Sequence, residues 1–345
     1  AFGATLPPPP CWLPPWERAL VAEAARPALR LLARARAPHD PATPALVAVM
    51  RDEADRLPGF LAHYRRLGVT RFAIVDHGSA DATPGRLAAE PDVDLYAATG
   101  PFWSKQAWVN AIVARMGYDR WYLHVDADER LVFDGSGEGA GLAGLLAFAA
   151  ARGLRRLRGM LVDLYPPGPL LDTGAGPGAG PAALFDADGY DEALCLERVS
   201  RKGGPRRRAF GVAPELTKYP LFLLRPGELV SSPHHLHPFG ENYRSDCYIG
   251  LLHDKFGPGF LARAERAAAE GNYWQGSREY REMLRALPRD PGRGLAYRGS
   301  RRYRGPADLV DAGLIAPLAA AGRPGLLPRL AGRLARRRRQ AVAMA

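Results

Sequence analysis

The chain has 345 residues, enough for one large α/β domain with extensions or for two domains. Hydrophobic residues make up 47% of it, which supports a sizeable core and excludes global disorder. The net charge is +11, but only Lys105, Lys202, Lys218 and Lys255 are lysines; this Arg bias, with high Ala, Gly and Pro, reads as codon composition and not as a nucleic-acid surface.

Residues 1–41 read as a leader, Pro-rich at both ends, with a helix from about Trp16 to Ala37. Residues 1–10 hold four prolines and no basic run, so no secretory signal is expected there. Ala45–Met50 is a short apolar run, a buried strand by length and flanks. Leu57–Leu67 carries apolar residues at helical spacing. Arg71–Val75 is the next strand, followed by the turn Asp76-His77-Gly78-Ser79-Ala80-Asp81 and a short helix. Strand Val93–Ala97, helix Lys105–Met116 and strand Trp121–Val125 complete an alternating series. Such a series predicts a doubly wound, mostly parallel, Rossmann-like sheet. Ligands of such sheets sit at the carboxyl ends of the strands, which places Asp52, Asp76, Asp126 and Asp128 along one edge.

Downstream, Gly135–Gly144 reads as a connector and 157–164 as a strand. Residues 166–189 read as a long loop outside the core, and Arg201–Arg208 as irregular. Short apolar pieces recur at 219–224 and 228–231. From Gly257 the pattern is helical, over Gly259–Glu270, Ser277–Leu287 and 306–312. The tail Leu326–Arg339 is basic and amphipathic, suited to peripheral contact with an anionic membrane. No stretch approaches the ~20 apolar residues of a membrane span. Cys11, Cys195 and Cys247 form no CxxC pair, which points to a reducing compartment and excludes a zinc module. A cytoplasmic protein is expected, peripheral at most to the inner membrane surface.

The chemistry concentrates at Asp126-Ala127-Asp128-Glu129. Two carboxylates two residues apart at a strand end can turn toward one hard divalent ion, which shares them with substrate phosphates. Asp76 can accept hydrogen bonds from a base or ribose, while Asp81 suits a helix cap. His234-His235-Leu236-His237 tempts a zinc reading, but no Cys or HExxH context supports it. His39, His63 and His124 read as structural. For a base that takes a hydroxyl proton, Asp163, Glu129, Asp188, Glu197 and Glu215 are the available carboxylates. Asp163, at the end of an apolar strand, and Glu129, beside the acidic pair, are the preferred two.

Four segments occur in a telling order. They are Met50-Arg51-Asp52-Glu53-Ala54, Leu57 to Val69, Ile74 to Asp81, and Asp126 to Glu129. Together they resemble the glycosyltransferase family 2 type of GT-A enzyme, in the branch reading "RNE…LPEWLAYHRALGV…DNGSTD…DxDE". Asp52 stands where that branch usually has Asn, Ala80 where Thr is usual, and His77 where Asp or Asn is common. The resemblance implies transfer of a sugar, with inversion, from a nucleoside diphosphate donor such as a UDP- or GDP-sugar. The acceptor would be a glycan or a lipid-linked glycan, and polysaccharide synthesis in bacteria is the family's usual setting. It implies a nucleotide site at Arg51, Glu53, Asp76, Lys105, Asp126 and Lys255. It also implies Mn²⁺ or Mg²⁺ on Asp126, Asp128 and His253. The late segment Leu251-Leu252-His253-Asp254-Lys255-Phe256 is similar to the family's His-containing strand end, although Asp254 replaces an aromatic. Lys105, Gln106 and Asn110 open a helix whose N-terminus suits a phosphate.

The expected organisation is therefore a leader over 1–41, a GT-A-like catalytic domain over 42–256 and a helical C-terminal extension over 257–345. One rival is a non-catalytic carbohydrate-binding protein on the same fold. Another is a phosphohydrolase using the acidic pair. That class places its pair after the first strand, whereas three strands precede it here and Arg130 fills a position that should hold Thr or Val.

Overall fold

The computed structural model of the protein describes residues 14–170 and 183–318, except 258, 273, 288–291 and 293. Residues 1–13 with Cys11, residues 171–182 of the expected loop, and the basic tail lie outside the described residues.

The chain opens with α1 (Pro15–Ala25) and β1 (Leu29–Ala33). The expected helix from Trp16 to Ala37 is thus cut short. Pro27 disfavours helical backbone at Arg26, and the chain turns to extend along the sheet. Next come β2 (Ala45–Met50), α2 (Leu57–Arg66), β3 (Phe72–Asp76), α3 (Thr83–Ala89), β4 (Val93–Ala98), α4 (Lys105–Met116) and β5 (Trp121–His124). These match the expected series closely. Two elements follow that sequence reading passed over: β6 (Glu129–Val132) and α5 (Leu142–Ala151). The latter uses the second half of the Gly-rich connector.

The chain then runs through β7 (Arg156–Asp163), β8 (Leu184–Asp186), β9 (Tyr190–Leu194), β10 (Val199–Gly203), α6 (Gly204–Phe210), β11 (Thr217–Leu223), β12 (Leu229–Ser232), β13 (His235–His237) and β14 (Cys247–His253). It closes with α7 (Phe260–Glu270), α8 (Trp274–Ala286), β15 (Ser300–Arg302) and α9 (Pro306–Asp311). Two expectations need correction. Arg201–Arg208 is not irregular: it spans β10 and α6, with Arg206 and Arg208 paired to the buried Asp163 and Asp186. Part of the 166–189 loop is core: β8 pairs with β15, and Phe185 is fully buried.

Among the described residues, nine strands form one sheet in the order β1-β4-β3-β2-β5-β11-β7-β14-β6. The strands β2, β3, β4, β5, β7 and β14 run one way; β1, β11 and β6 run against them. The protein is therefore α/β with a large, mostly parallel central sheet, compatible with a Rossmann-like fold. Side chains of β2 alternate between two cores. Leu46, Ala48 and Met50 pack with α2 and α5 on one face, while Ala45, Val47 and Val49 pack with α4 on the other. This two-sided burial explains the unbroken apolar run. The sequence order reverses between β2 and β5, so the crevice at their carboxyl ends is the expected ligand position.

Tyr64 ties α2 to the strand after the acidic pair. Its hydroxyl donates to the Glu129 carbonyl at 2.8 Å and accepts the Leu131 N–H at 3.2 Å, with the side chain fully buried. Tyr64→Phe leaves both backbone groups unsatisfied and should cost about 1–3 kcal/mol. A urea midpoint equal to that of the wild type would overturn this tie.

Candidate functional site

Strand direction gathers the site. The last residues of β2, β3, β5, β7 and β14 and the first residues of β6 and β11 all reach the carboxyl edge. There His253 lies opposite Asp163 on one side and Glu129 on the other.

Two linked charge networks occupy this edge. In the first, Asp126 pairs with Lys105 through one oxygen and with Lys218 at 2.9 Å through the other. Lys218 also pairs with Glu129, whose second oxygen accepts the Asp126 N–H at 3.1 Å. In the second, His253 sits between two carboxylates. Its Nε2 is 3.2 Å from Asp128 Oδ2 and its Nδ1 is 2.6 Å from Asp163 Oδ1. The other Asp163 oxygen takes Arg206 Nε at 2.7 Å. Arg206 and Lys255 then share Glu279, at 3.1 and 3.2 Å.

Burial opposes the charge on every one of these acids, and the cations overcome it for the three aspartates but not for Glu129. Burial pushes the Asp126 carboxyl up, but Lys105 and Lys218 hold it well below its ordinary range. Asp128 is likewise lowered against burial, by His253 and Arg56. Asp163 is lowered against burial by Arg206 and His253. Glu129 goes the other way: burial, with Asp126 and Asp128 nearby, outweighs Lys218 and raises it. Burial pushes Lys218 down, yet Asp126 and Glu129 raise it overall.

The remaining expected residues are placed as follows. Asp76 is buried at the end of β3, where its carboxylate accepts the Ser79 hydroxyl and the Ser79 N–H at 3.3 Å. Asp81 accepts the Ala54 and Thr83 N–H groups, a structural role as expected. Asp52 has a left-handed backbone, with φ 55°, a conformation that short polar residues tolerate. Its carboxylate accepts the Ala80 N–H and pairs with Arg266. Arg51 reaches Glu270 of α7 at 3.1 Å. Glu53 pairs with Arg56 at 2.6 Å, and burial raises it against that pairing, helped by nearby Asp128. Lys255 turns toward α8, with Nζ 3.0 Å from the Tyr280 hydroxyl. Asn110 clamps α4 to the Val230 backbone and does not face this edge. Asp254 pairs with Arg130. The three clustered histidines form β13 and its approach: His234 accompanies the Thr217 carbonyl, His235 meets Trp16, and His237 meets Glu17. Glu215 accepts the backbone N–H groups of Arg201 and Thr217, and Glu197 pairs with Arg198.

Both base candidates meet the same constraint. Asp163 has both oxygens committed and is 2% exposed; Glu129 has both committed and is 1% exposed. Asp163 is geometrically an orienter of the His253 ring.

Sequence reasoning missed Lys218, Arg206, Arg56 and Glu279. One signal was available for Lys218. Among four lysines in an Arg-biased chain, Lys105, Lys218 and Lys255 all reach this edge and its network. A compact ammonium fits between two carboxylates where a broad guanidinium does not. No protein-family model matches the chain, and no curated protein matches it either. Among the described residues, no helix is long and apolar enough to cross a membrane.

The His253 pair has a testable pH signature. Burial opposes its charge, but Asp128 and Asp163 raise its pKa from 6.5 to about 9. A raised folded value means the pairing contributes fully below about pH 6.5 and fades as pH rises through about 9. The denaturation midpoint should fall across that window in the wild type and fall less in His253→Gln. Parallel profiles for the two proteins would refute the pairing.

Proposed function

We propose that the protein is a metal-dependent GT-A-type glycosyltransferase. It transfers a sugar, with inversion, from a nucleoside diphosphate donor to a glycan or lipid-linked acceptor. The observation that carries this reading is the meeting of Asp128 and His253 at the carboxyl edge, with Asp163 fixing the histidine from behind. A metal-binding histidine commonly gives its second nitrogen to a carboxylate, which sets the tautomer and the ring plane.

The donor chemistry fits a divalent ion in part. Asp128 is partly exposed and faces the buried His253. Asp126, expected as a third ligand, has both oxygens on ammonium groups. Among the described residues no three such side chains converge on one point. Two protein ligands suit Mg²⁺ or Mn²⁺, which retain waters and substrate oxygens. Asp128 and His253 are the residues that would hold the ion, which when bound supplies positive charge to a departing diphosphate.

The protein's own groups account for the rest. Asp163 holds His253 Nδ1, and Arg206 keeps Asp163 ionised. Lys105 stands at the start of α4, where the helix terminus adds to its positive field. Asp76 closes the β3 turn on the donor side of the crevice. Arg51, Asp52, Arg206 and Lys255 are linked to α7 and α8, so the C-terminal helices border the same crevice.

The test is release of nucleoside diphosphate from a panel of UDP- and GDP-sugars, with Mn²⁺ and with EDTA. Turnover with Mn²⁺ should vanish in EDTA. Asp128→Ala should lower it about 100-fold, the usual scale for losing a metal ligand or its support. Undiminished turnover in EDTA or in Asp128→Ala would refute the metal role. Absence of both binding and turnover for every donor would refute the transferase reading.

A further inference from the structure

Lys218 occupies an unusual position for a lysine. It lies on β11, which runs against β5 and β7 on either side. An antiparallel strand reaches the carboxyl edge with its first residues, so Thr217 and Lys218 arrive where the neighbouring strands end. The Lys218 side chain is 6% exposed and bridges Asp126 and Glu129. With Lys105 on the second Asp126 oxygen and the Asp126 N–H on the second Glu129 oxygen, all four carboxylate oxygens are used.

A divalent ion binds carboxylates through the same oxygen lone pairs. Asp126, Asp128 and Glu129 are three acidic groups within one four-residue stretch, and two of them turn an oxygen to the same Lys218 ammonium, a point for which a hard cation would otherwise compete. Lys218 thus withdraws those two. We propose that Lys218 is a built-in cation of the site. By occupying Asp126 and Glu129 it confines a divalent ion to Asp128 and His253, so that the bare protein holds the ion weakly and a phosphorylated ligand completes its shell. This rests on the transferase reading only for the identity of that ligand; the withdrawal of Asp126 and Glu129 stands on the geometry.

Titration calorimetry of the full chain with MnCl₂ alone tests the assignment without any donor. Lys218→Gln frees one oxygen of each acid and should tighten Mn²⁺ binding about tenfold or more, the scale on which neighbouring groups tune metal sites. Lys218→Gln binding Mn²⁺ no more tightly than the wild type would overturn the proposal. Because Lys218→Gln leaves Glu129 buried without a cation, the unmodified protein supplies a second measurement. With ¹⁵N-lysine labelling, the chain gives four side-chain ammonium signals, one per lysine. The Lys218 signal, assigned with Lys218→Arg, should remain exchange-protected and unshifted in millimolar Mg²⁺. Its release by Mg²⁺ would also overturn the proposal. Failure of every donor to turn over, with these metal results intact, would remove the transferase reading and leave Lys218 as assigned.

Discussion

A carboxylate taken out of water costs several kcal/mol unless cations and hydrogen bonds replace its hydration. The carboxyl edge of this sheet imposes that cost repeatedly. Glu129 and Asp163 are almost wholly buried, and Asp126 and Asp128 are only partly exposed. Each is offset by a specific partner: Lys218 for Glu129, Arg206 and His253 for Asp163, two lysines for Asp126. The arrangement of the surrounding elements follows from the need to deliver those partners.

Delivery explains several features that would otherwise look incidental. The β11 strand interrupts a parallel run and brings Lys218 in by its first residues. The β9-β10 hairpin and α6 bring Arg206 to the end of β7. The helices α7 and α8 bring Glu279 to Arg206 and Lys255, and Arg266 to Asp52. The C-terminal helices are thus electrostatically part of the site and not merely an appendage. Their apolar faces also pack on Tyr165 and Phe256, which flank the ends of β7 and β14.

The networks also hold the histidine still. A ring gripped at both nitrogens by carboxylates has one orientation. Rigid presentation of this kind is what a small, demanding ion or a diphosphate requires of its receptor. The crevice between β2 and β5 lies beside it, at the point where the strand order reverses. Chemistry and topology therefore point to the same edge of the molecule.

The alternating series from Ala45 to His124 was legible because each element carries a period of its own. The apolar run of β2, the helical spacing of α2 and the bounds of α4 are local properties, set by side-chain alternation and turn residues. The positions of Asp76, Asp126 and Asp128 at strand ends followed from that reading and that of Asp163 from the apolar run over 157–164, while His253 entered through the resemblance of its segment to a family's strand end. Short elements escaped it. β1 has the Ala, Arg and Leu content of a helix and becomes a strand only because β4 offers an edge. β6 is four residues long, and the arginines of β10 and α6 mimic a loop. The partners escaped it too. Lys218 is 92 positions from Asp126, Arg206 is 43 from Asp163, and Glu279 is 73 from Arg206. The sequence by itself determined which strand ends carry acids, because periodicity is local. Only the tertiary structure decided which cations meet them, because pairing across such separations depends on strand order and direction, which no local pattern encodes.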